Sequence, residues 1–204
     1  MDRQTRDYYS RSAKKLAAEY RAASVEHLHQ TLKELANTAT TALDLGCGSG
    51  REMAALATLG TRVWGADSSM EMLHEIQVSY PEFRDQLIQC CLPTRLPFRT
   101  ASFELLLSVS VLMHLDIYDI PFVFSECRRV LKNQGKFLFS VPLTRTDIRN
   151  GRDPHGRQFT MSASETWEKM VLDSGFSVEQ RLREADGLGR SGTSWITFVC
   201  ACRE

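Results

Sequence analysis

The segment 43–50 constrains the fold most, because an apolar strand runs directly into the glycine-rich turn Gly46-Cys47-Gly48-Ser49-Gly50 and then into a helix. Glycines adopt positive φ angles and let a ligand approach bare backbone, and the first turn of the following helix presents unpaired N–H groups. Asp67 follows Gly46 at about the spacing of one βα unit. The pattern predicts a nucleotide-binding turn, and an ordinary strand–helix connection is the alternative.

Short apolar strands alternate with helical segments along the chain. Strands are predicted at 41–45, 62–66, 87–91, 103–108 and 136–141, and one of the intervening helices is predicted near 119–132. This alternation predicts a parallel sheet. The last two strands, 176–183 and 194–202, are joined by a segment too short for a crossover helix, so they are expected to pair antiparallel.

The composition argues against several classes of partner. The 204 residues carry 25 basic and 25 acidic side chains, so no overall field attracts nucleic acid. No apolar run reaches the roughly 18 residues of a membrane span, and the N-terminus lacks an apolar signal core, so a cytoplasmic protein is expected. The six cysteines form neither a C-x-x-C pair nor a cluster with zinc-ligand spacing, so no metal site is expected.

Taken in order, the motifs resemble those of class I S-adenosylmethionine-dependent methyltransferases of the small, single-domain kind. They are LDLGCGSG at 43–50, WGADSSMEML at 64–73, LPF at 96–98, SFEL at 102–105, VLMHL at 111–115 and RVLKNQGK at 129–136. Each motif is weak alone, but the ordered set covers nearly the whole chain. The resemblance implies an α/β fold with a Rossmann-like, seven-stranded, mostly parallel sheet, helices on both faces and an antiparallel C-terminal strand. It also implies S-adenosyl-L-methionine as cofactor and methyl transfer as reaction.

The resemblance places the cofactor mainly on the first two motifs. Asp67, at the tip of the second strand, is positioned to accept hydrogen bonds from both ribose hydroxyls, and capping the next helix is the alternative. Asp44 is expected either to meet the positively charged amino group of the cofactor or only to brace the loop. The predicted set is Asp44, Gly46, Cys47, Gly48, Ser49, Gly50, Asp67, Ser68, Met72, Cys91, Leu92, Ser108, Val109 and Met113.

The chain departs from the family pattern on the adenine side. The family usually has an acidic residue five positions before Pro97, and here that position is Leu92. Leu92, or the backbone of Cys91, is expected to pack on the adenine. The usual side-chain contact to the exocyclic amine of adenine is therefore expected to be absent.

The acceptor is expected on the far wall of the site. His114, just after the fourth strand, has an unperturbed pKa that suits a general base near neutral pH, and packing beside the cofactor is the alternative. Arg145, Arg149 and Arg157 follow the fifth strand at the carboxyl edge of the sheet. Their guanidinium groups suit a small anionic acceptor, and a solvated loop with surface ion pairs is the alternative.

Residues 1–40 are predicted to be helical, because their apolar residues recur at helical spacing. They are expected to form a lid over a core domain at 41–204. Tyr9 and Tyr20 are expected to cover the cofactor from this lid, as aromatic residues do in similar proteins, and to contact the substrate. Core packing is the alternative.

Three other functions stay open. An NAD-dependent oxidoreductase also has a glycine turn followed by an acidic residue, but its glycines run G-x-G-x-x-G and here they run G-x-G-x-G. A non-catalytic S-adenosylmethionine-binding protein fits the same motifs. So does a methyltransferase acting on RNA or protein, although the balanced charge disfavours RNA. The sequence does not identify the acceptor atom or the oligomeric state.

Overall fold

The computed structural model describes residues 1–203, so Glu204, the last residue of the predicted core domain, lies outside the described residues. Seven strands form one sheet in the order β3-β2-β1-β4-β5-β7-β6. They are β1 (Thr41–Leu45), β2 (Arg62–Asp67), β3 (Leu87–Gln89), β4 (Phe103–Val109), β5 (Leu131–Arg145), β6 (Phe176–Ala185) and β7 (Thr193–Cys202). The first five run parallel, whereas β7 is antiparallel to both of its neighbours. The predicted fold class is confirmed.

Residues 1–203 contain six α-helices, and all but the first cover the two faces of the sheet. The six are α1 (Arg3–Ala22), α2 (Glu26–Ala36), α3 (Arg51–Thr58), α4 (Met70–Ser79), α5 (Ile120–Val130) and α6 (Ser164–Asp173). One core cluster packs α5 and α6 on the sheet through residues such as Phe124 and Trp167. A second packs α2, α3 and α4 on the opposite face, through residues such as Leu32, Met53 and Ile76. Within residues 1–203, none of the helices combines the length and the apolar character required to cross a bilayer.

The boundaries around β5 differ from the prediction. The helix predicted near 119–132 ends at Val130, because Leu131 already pairs with Phe103 in the sheet. The strand therefore begins five residues before the predicted position 136. A register shift between Phe103 and Leu105 accommodates this extension. The early start was missed because residues 132–136 are polar and contain a glycine.

The N-terminal helices pack on the domain that follows them. Helix α1 buries Ala13, Leu16 and Ala17 in a small cluster with Met72 of α4. It is also joined to the first residue of α3, since Arg51 Nη1 donates a hydrogen bond to the Tyr20 carbonyl at 2.8 Å. These contacts bring Tyr9 and Tyr20 to the wall of a cleft at the carboxyl edge of the parallel strands.

Candidate functional site

The glycine turn after β1 has the backbone conformation that its sequence predicts. Gly46, Gly48 and Gly50 have φ angles of 82°, 49° and 75°, which residues with side chains rarely adopt. Gly46 also faces Val111 so closely that a Cβ atom would lie 2.2 Å from Val111 Cγ2. At its glycines the turn therefore presents backbone without side chains at the floor of the cleft.

The Asp67 carboxylate joins this turn to the end of the neighbouring strand. Its Oδ2 accepts a hydrogen bond from Gly48 N at 2.9 Å, and its Oδ1 accepts one from Ser69 N at 2.9 Å. Burial raises the pKa of Asp67, while the backbone donors oppose that shift. Ser69, and not Asp67, caps α4, because the Ser69 hydroxyl accepts a hydrogen bond from Met72 N. Each carboxylate oxygen of Asp67 keeps acceptor capacity for a ligand in the cleft.

Asp44 lies in an acidic group beneath the turn. Its side chain is buried, and Oδ2 has no partner among the described residues. Burial raises the pKa of Asp44 well above its usual value, and the negative charges of Glu52 and Asp67 act in the same direction. Arg51 pairs with Glu52 through Nε at 2.7 Å. A positive charge near Asp44 would stabilise its ionised form.

Most predicted site residues share one cleft. The predicted residues along its wall are Tyr9, Tyr20, Gly46, Cys47, Gly48, Ser49, Asp67, Ser68, Met72, Leu92, Val109, Met113, His114, Arg145 and Arg157. They come from α1 and α4, from the carboxyl ends of β2, β4 and β5, and from the segments that follow the parallel strands. The fold therefore brings together side chains that are up to 148 residues apart in sequence, as for Tyr9 and Arg157.

Five predicted residues lie elsewhere, each for a local reason. Asp44 is beneath the turn, and Gly50 sits behind it as the residue before α3. The Ser108 hydroxyl is turned into the sheet and donates to the Leu45 carbonyl at 3.2 Å. Cys91 Sγ faces Arg6 Nη1 at 3.7 Å, and Cys90 takes its place on the cleft wall. Arg149 is on the surface, where its Nη1 donates to the carbonyls of Thr146 and Ile148.

His114 is buried on the far wall with both ring nitrogens engaged. Nδ1 lies 2.6 Å from the Gln158 carbonyl, and Nε2 lies 2.8 Å from the Tyr9 hydroxyl. Burial lowers the pKa of His114 to about 4, and the nearby Arg157 and Arg145 act in the same direction, while the bond to Gln158 opposes them. The imidazole is therefore neutral at neutral pH, and the Tyr9 hydroxyl covers Nε2, so His114 does not have the unperturbed pKa on which its predicted role as a base relied.

The low pKa of His114 makes stability depend on pH. An unfolded histidine titrates near 6.5, whereas His114 titrates at about 4 in the folded protein, so protons favour the unfolded chain between these values. We expect the His114 contribution to be complete above pH 6.5 and to fall by about 2 to 3 kcal/mol on going to pH 4.5. Urea unfolding of wild type and His114→Asn at pH 7.5 and 4.5 measures this difference. Equal pH dependence in the two proteins would contradict it.

Three arginines around the far wall are each held by an aspartate. Arg145 donates from Nε and Nη2 to Asp147, at 2.7 and 2.5 Å. Arg157 donates from the same two nitrogens to Asp153, at 2.8 and 2.6 Å. A third pair joins Arg190 to Asp186. The aspartates thus fix the guanidinium planes and leave the Nη1 edges for other partners.

The Nη1 edges differ between the first two pairs. Arg157 Nη1 donates to the Tyr9 hydroxyl at 3.1 Å. Arg145 Nη1 is buried and has no partner among the described residues, while the guanidinium stacks 4.5 Å above the Phe159 ring. The far wall therefore holds an arginine with spare donor capacity beside an aromatic surface.

Sequence reasoning missed several residues of the cleft. The hairpin formed by β6 and β7 contributes Glu184 and Trp195, which are cross-strand partners, as well as Asp186. Phe159 comes from the loop before α6. The predicted antiparallel pairing of the last two strands was a signal for this hairpin, because its turn lies at the edge of the sheet where the parallel strands end. Nothing in the local sequence marks Phe159.

The chain is similar to known proteins over much of its length. A family model described as a methyltransferase domain matches residues 43–139. A protein of Mycolicibacterium smegmatis, described as a probable S-adenosylmethionine-dependent methyltransferase, is 32% identical over 152 residues, covering 72% of this chain and 56% of that protein. The biotin biosynthesis bifunctional protein BioHC of Saccharophagus degradans is 31% identical over 182 residues, covering 79% of this chain and 32% of that protein. The matched regions thus span about half and about a third of these two relatives.

The fold is also similar to that of solved structures. The 1,6-didemethyltoxoflavin-N1-methyltransferase of Burkholderia thailandensis, solved with bound 1,6-didemethyltoxoflavin and S-adenosylhomocysteine, matches with a TM-score of 0.78. The match covers 98% of this chain and 88% of that one, at 16% identity. At this level of identity the likeness concerns the fold.

Proposed function

Because the chain belongs to the class I S-adenosylmethionine-dependent methyltransferase family, we propose that it transfers the methyl group of S-adenosylmethionine to a small-molecule acceptor. The observation that carries this proposal is the glycine turn held against the Asp67 carboxylate by Gly48 N, with both lining one cleft. This pairing suits a nucleoside, since the backbone admits close approach and the carboxylate accepts from a diol.

The residues of the cleft fit the cofactor. Asp67 would take the ribose hydroxyls, and Leu92 with Cys90 would contact the adenine. The Oδ2 atom of Asp44 is buried and has no partner among the described residues, which supports the placement of the positively charged amino group of the cofactor near the turn. S-adenosylmethionine supplies a methyl group already activated by the positive charge on its sulfur. The protein then has to orient the acceptor and exclude water, and orientation supplies about 7 to 11 kcal/mol in well-aligned reactions.

Residues 1–40 are placed to exclude water from the cleft. Tyr9 and Tyr20 of α1 line the cleft, and α1 contacts α3 through the Arg51–Tyr20 hydrogen bond. We propose that this helical segment covers the bound cofactor during transfer. The cytoplasmic location expected from the sequence stays a prediction.

The acceptor that we propose is a small molecule with an anionic group. Its support is the far wall, where Arg145 and Arg157 are oriented by aspartates and Phe159 and Trp195 provide aromatic surface. Oriented guanidinium groups bind carboxylates or similar anions with defined geometry. A macromolecular acceptor has less support, because these groups line a cleft that α1 covers.

Acceptor binding should depend on Arg145 and not on Arg149. We expect Arg145→Gln to raise the KM for the acceptor about tenfold or more, since a charged hydrogen bond contributes about 1.5 to 3 kcal/mol. Arg149→Gln is the matched control, because this surface side chain lies away from the cleft. Initial rates measured against acceptor concentration check this expectation, and equal KM values in both variants would remove the proposed anionic contact.

Two experiments test the function itself. Calorimetry with S-adenosylmethionine and with NADH separates the methyltransferase from the oxidoreductase alternative, and we expect only the former to bind. Incubation with methyl-labelled cofactor and fractionated cell extract then shows where the label goes. We expect a small-molecule fraction to be labelled. Label in RNA or protein would identify a macromolecular acceptor, and binding without transfer would favour the non-catalytic alternative.

A further inference from the structure

The hydrogen bonds around His114 determine where protons lie on the far wall. A carbonyl oxygen only accepts, so the 2.6 Å contact with the Gln158 carbonyl requires a proton on His114 Nδ1. The imidazole is neutral, so Nε2 carries a lone pair and accepts the proton of the Tyr9 hydroxyl at 2.8 Å. The direction of the Tyr9–His114 hydrogen bond is therefore fixed by Gln158.

The same argument gives the state of the Tyr9 oxygen. Its proton points to His114, and one of its two lone pairs accepts from Arg157 Nη1 at 3.1 Å. The other lone pair faces Tyr20, a hydrogen-bonding neighbour of Tyr9 on the cleft wall, and a donor group on the acceptor would take the place of Tyr20 there. Both Tyr9 and His114 line the cleft, but His114 is only 1% exposed and its Nε2 is occupied by the Tyr9 hydroxyl. A donor group on the acceptor would thus meet the tyrosine before the histidine.

We propose that the Tyr9 hydroxyl is the catalytic residue that receives the acceptor's proton, and that it passes its own proton to His114 Nε2. This inference rests on the proposed methyl transfer and assigns its proton path. A bond forms between the acceptor atom and the methyl carbon while the bond from that carbon to sulfur breaks, with its electron pair staying on sulfur. The acceptor's proton moves to Tyr9 Oη, and the tyrosine's proton moves to His114. The positive charge lost at sulfur thus reappears on the imidazolium.

The charged groups around His114 link this path to the acceptor that we propose. Arg157 and Arg145 disfavour the imidazolium, whereas Asp153 and the Gln158 carbonyl favour it. Tyr9 is the group that faces it from α1. An anionic acceptor beside the two arginines would offset their charge and make His114 a stronger base when the acceptor is bound. Proton transfer is then coupled to occupancy of the far wall.

Substitution of the hydroxyl tests the path. In the labelling assay with the acceptor fraction from cell extract, we expect Tyr9→Phe to lower kcat about 10²- to 10⁴-fold, the usual range for a lost acid–base group. Tyr8→Phe is the matched control. The Tyr8 ring stacks on His155, and Tyr8 lies off the cleft wall. Tyr9→Phe turning over at the rate of Tyr8→Phe would overturn the proposal.

His114→Gln separates transfer of a proton from positioning. A glutamine oxygen can accept the Tyr9 hydrogen bond but cannot take the proton, so we expect a kcat loss similar to that of Tyr9→Phe. We also expect the acid limb of the wild-type pH–rate profile to vanish in this variant. Wild-type kcat in His114→Gln would overturn the relay. Calorimetry with S-adenosylhomocysteine and urea unfolding show whether each variant keeps its cofactor site and its fold.

A second readout does not depend on activity. Long-range ¹H–¹⁵N spectra of the protein at pH 7 report which nitrogen of His114 is protonated. We expect a proton on Nδ1 only, and a shift of the Nε2 resonance in Tyr9→Phe. A proton on Nε2 would overturn the proposal. A wild-type protein that binds no S-adenosylhomocysteine and labels no acceptor would overturn the proposed function as well, whereas normal transfer by Tyr9→Phe would overturn only this inference.

Discussion

Gly46→Ala is expected to lower the free energy of unfolding by about 3 to 5 kcal/mol, the sum of backbone strain and a steric clash. The φ angle of 82° at this position is strained for any residue with a side chain. The added Cβ would also lie 2.2 Å from Val111 Cγ2, 2.9 Å from Cγ1 and 3.1 Å from Cβ, so no rotation of Val111 removes every contact. Urea unfolding measures the loss.

The chain contains a matched control for this prediction. Gly60 has a φ angle of 87°, but among residues 1–203 no atom other than those of its chain neighbours lies within 4 Å of the position of an added Cβ. Gly60→Ala therefore has the strain without the clash, and we expect it to cost about 1 kcal/mol. Val111→Ala should recover part of the Gly46→Ala loss in a double-mutant cycle. Equal losses for Gly46→Ala and Gly60→Ala would show that the contact with Val111 does not matter.

Asp67→Ala is expected to weaken binding of S-adenosylhomocysteine at least 100-fold, which corresponds to about 2.7 kcal/mol. Two hydrogen bonds from ribose hydroxyls to this half-buried carboxylate would account for a loss of this size. The substitution also removes the acceptor of Gly48 N and Ser69 N, so the turn keeps only the backbone hydrogen bonds from Gly46 N and Cys47 N to the Ala66 carbonyl of β2. Calorimetry with S-adenosylhomocysteine measures the affinity.

Two further variants define what this loss means. Asp85→Ala removes an exposed carboxylate in the Pro81–Gln86 segment and should bind like wild type. Asp67→Asn keeps one acceptor oxygen without the charge, and we expect a loss between those of the other two. If Asp67→Ala binds within threefold of Asp85→Ala, the carboxylate does not hold the ribose and the proposed orientation of the cofactor is wrong.

The sequence predicted the sheet because its evidence is local. Each parallel strand is a short apolar run followed by a helical segment, and βαβ connections of that kind allow few topologies. The glycine turn was equally predictable, since the positive φ angles at Gly46, Gly48 and Gly50 are a local property of neighbouring residues. The start of β5 was misplaced because Leu131 pairs with Phe103 of β4 and polar residues 132–135 fill the register shift before Lys136 pairs with Leu105, which no local pattern reports.

By itself the sequence determined the order of strands and helices, the turn after β1 and the acidic residue at the end of β2. Only the tertiary structure decided that the Tyr9 hydroxyl contacts His114 Nε2, 105 residues away, and that Arg149 lies on the surface while Arg145 and Arg157 line the cleft. It also brought Glu184 and Trp195 to the site. The physical reason is that backbone conformation depends on neighbours in the chain, whereas the partner of a buried polar side chain depends on which elements pack against it.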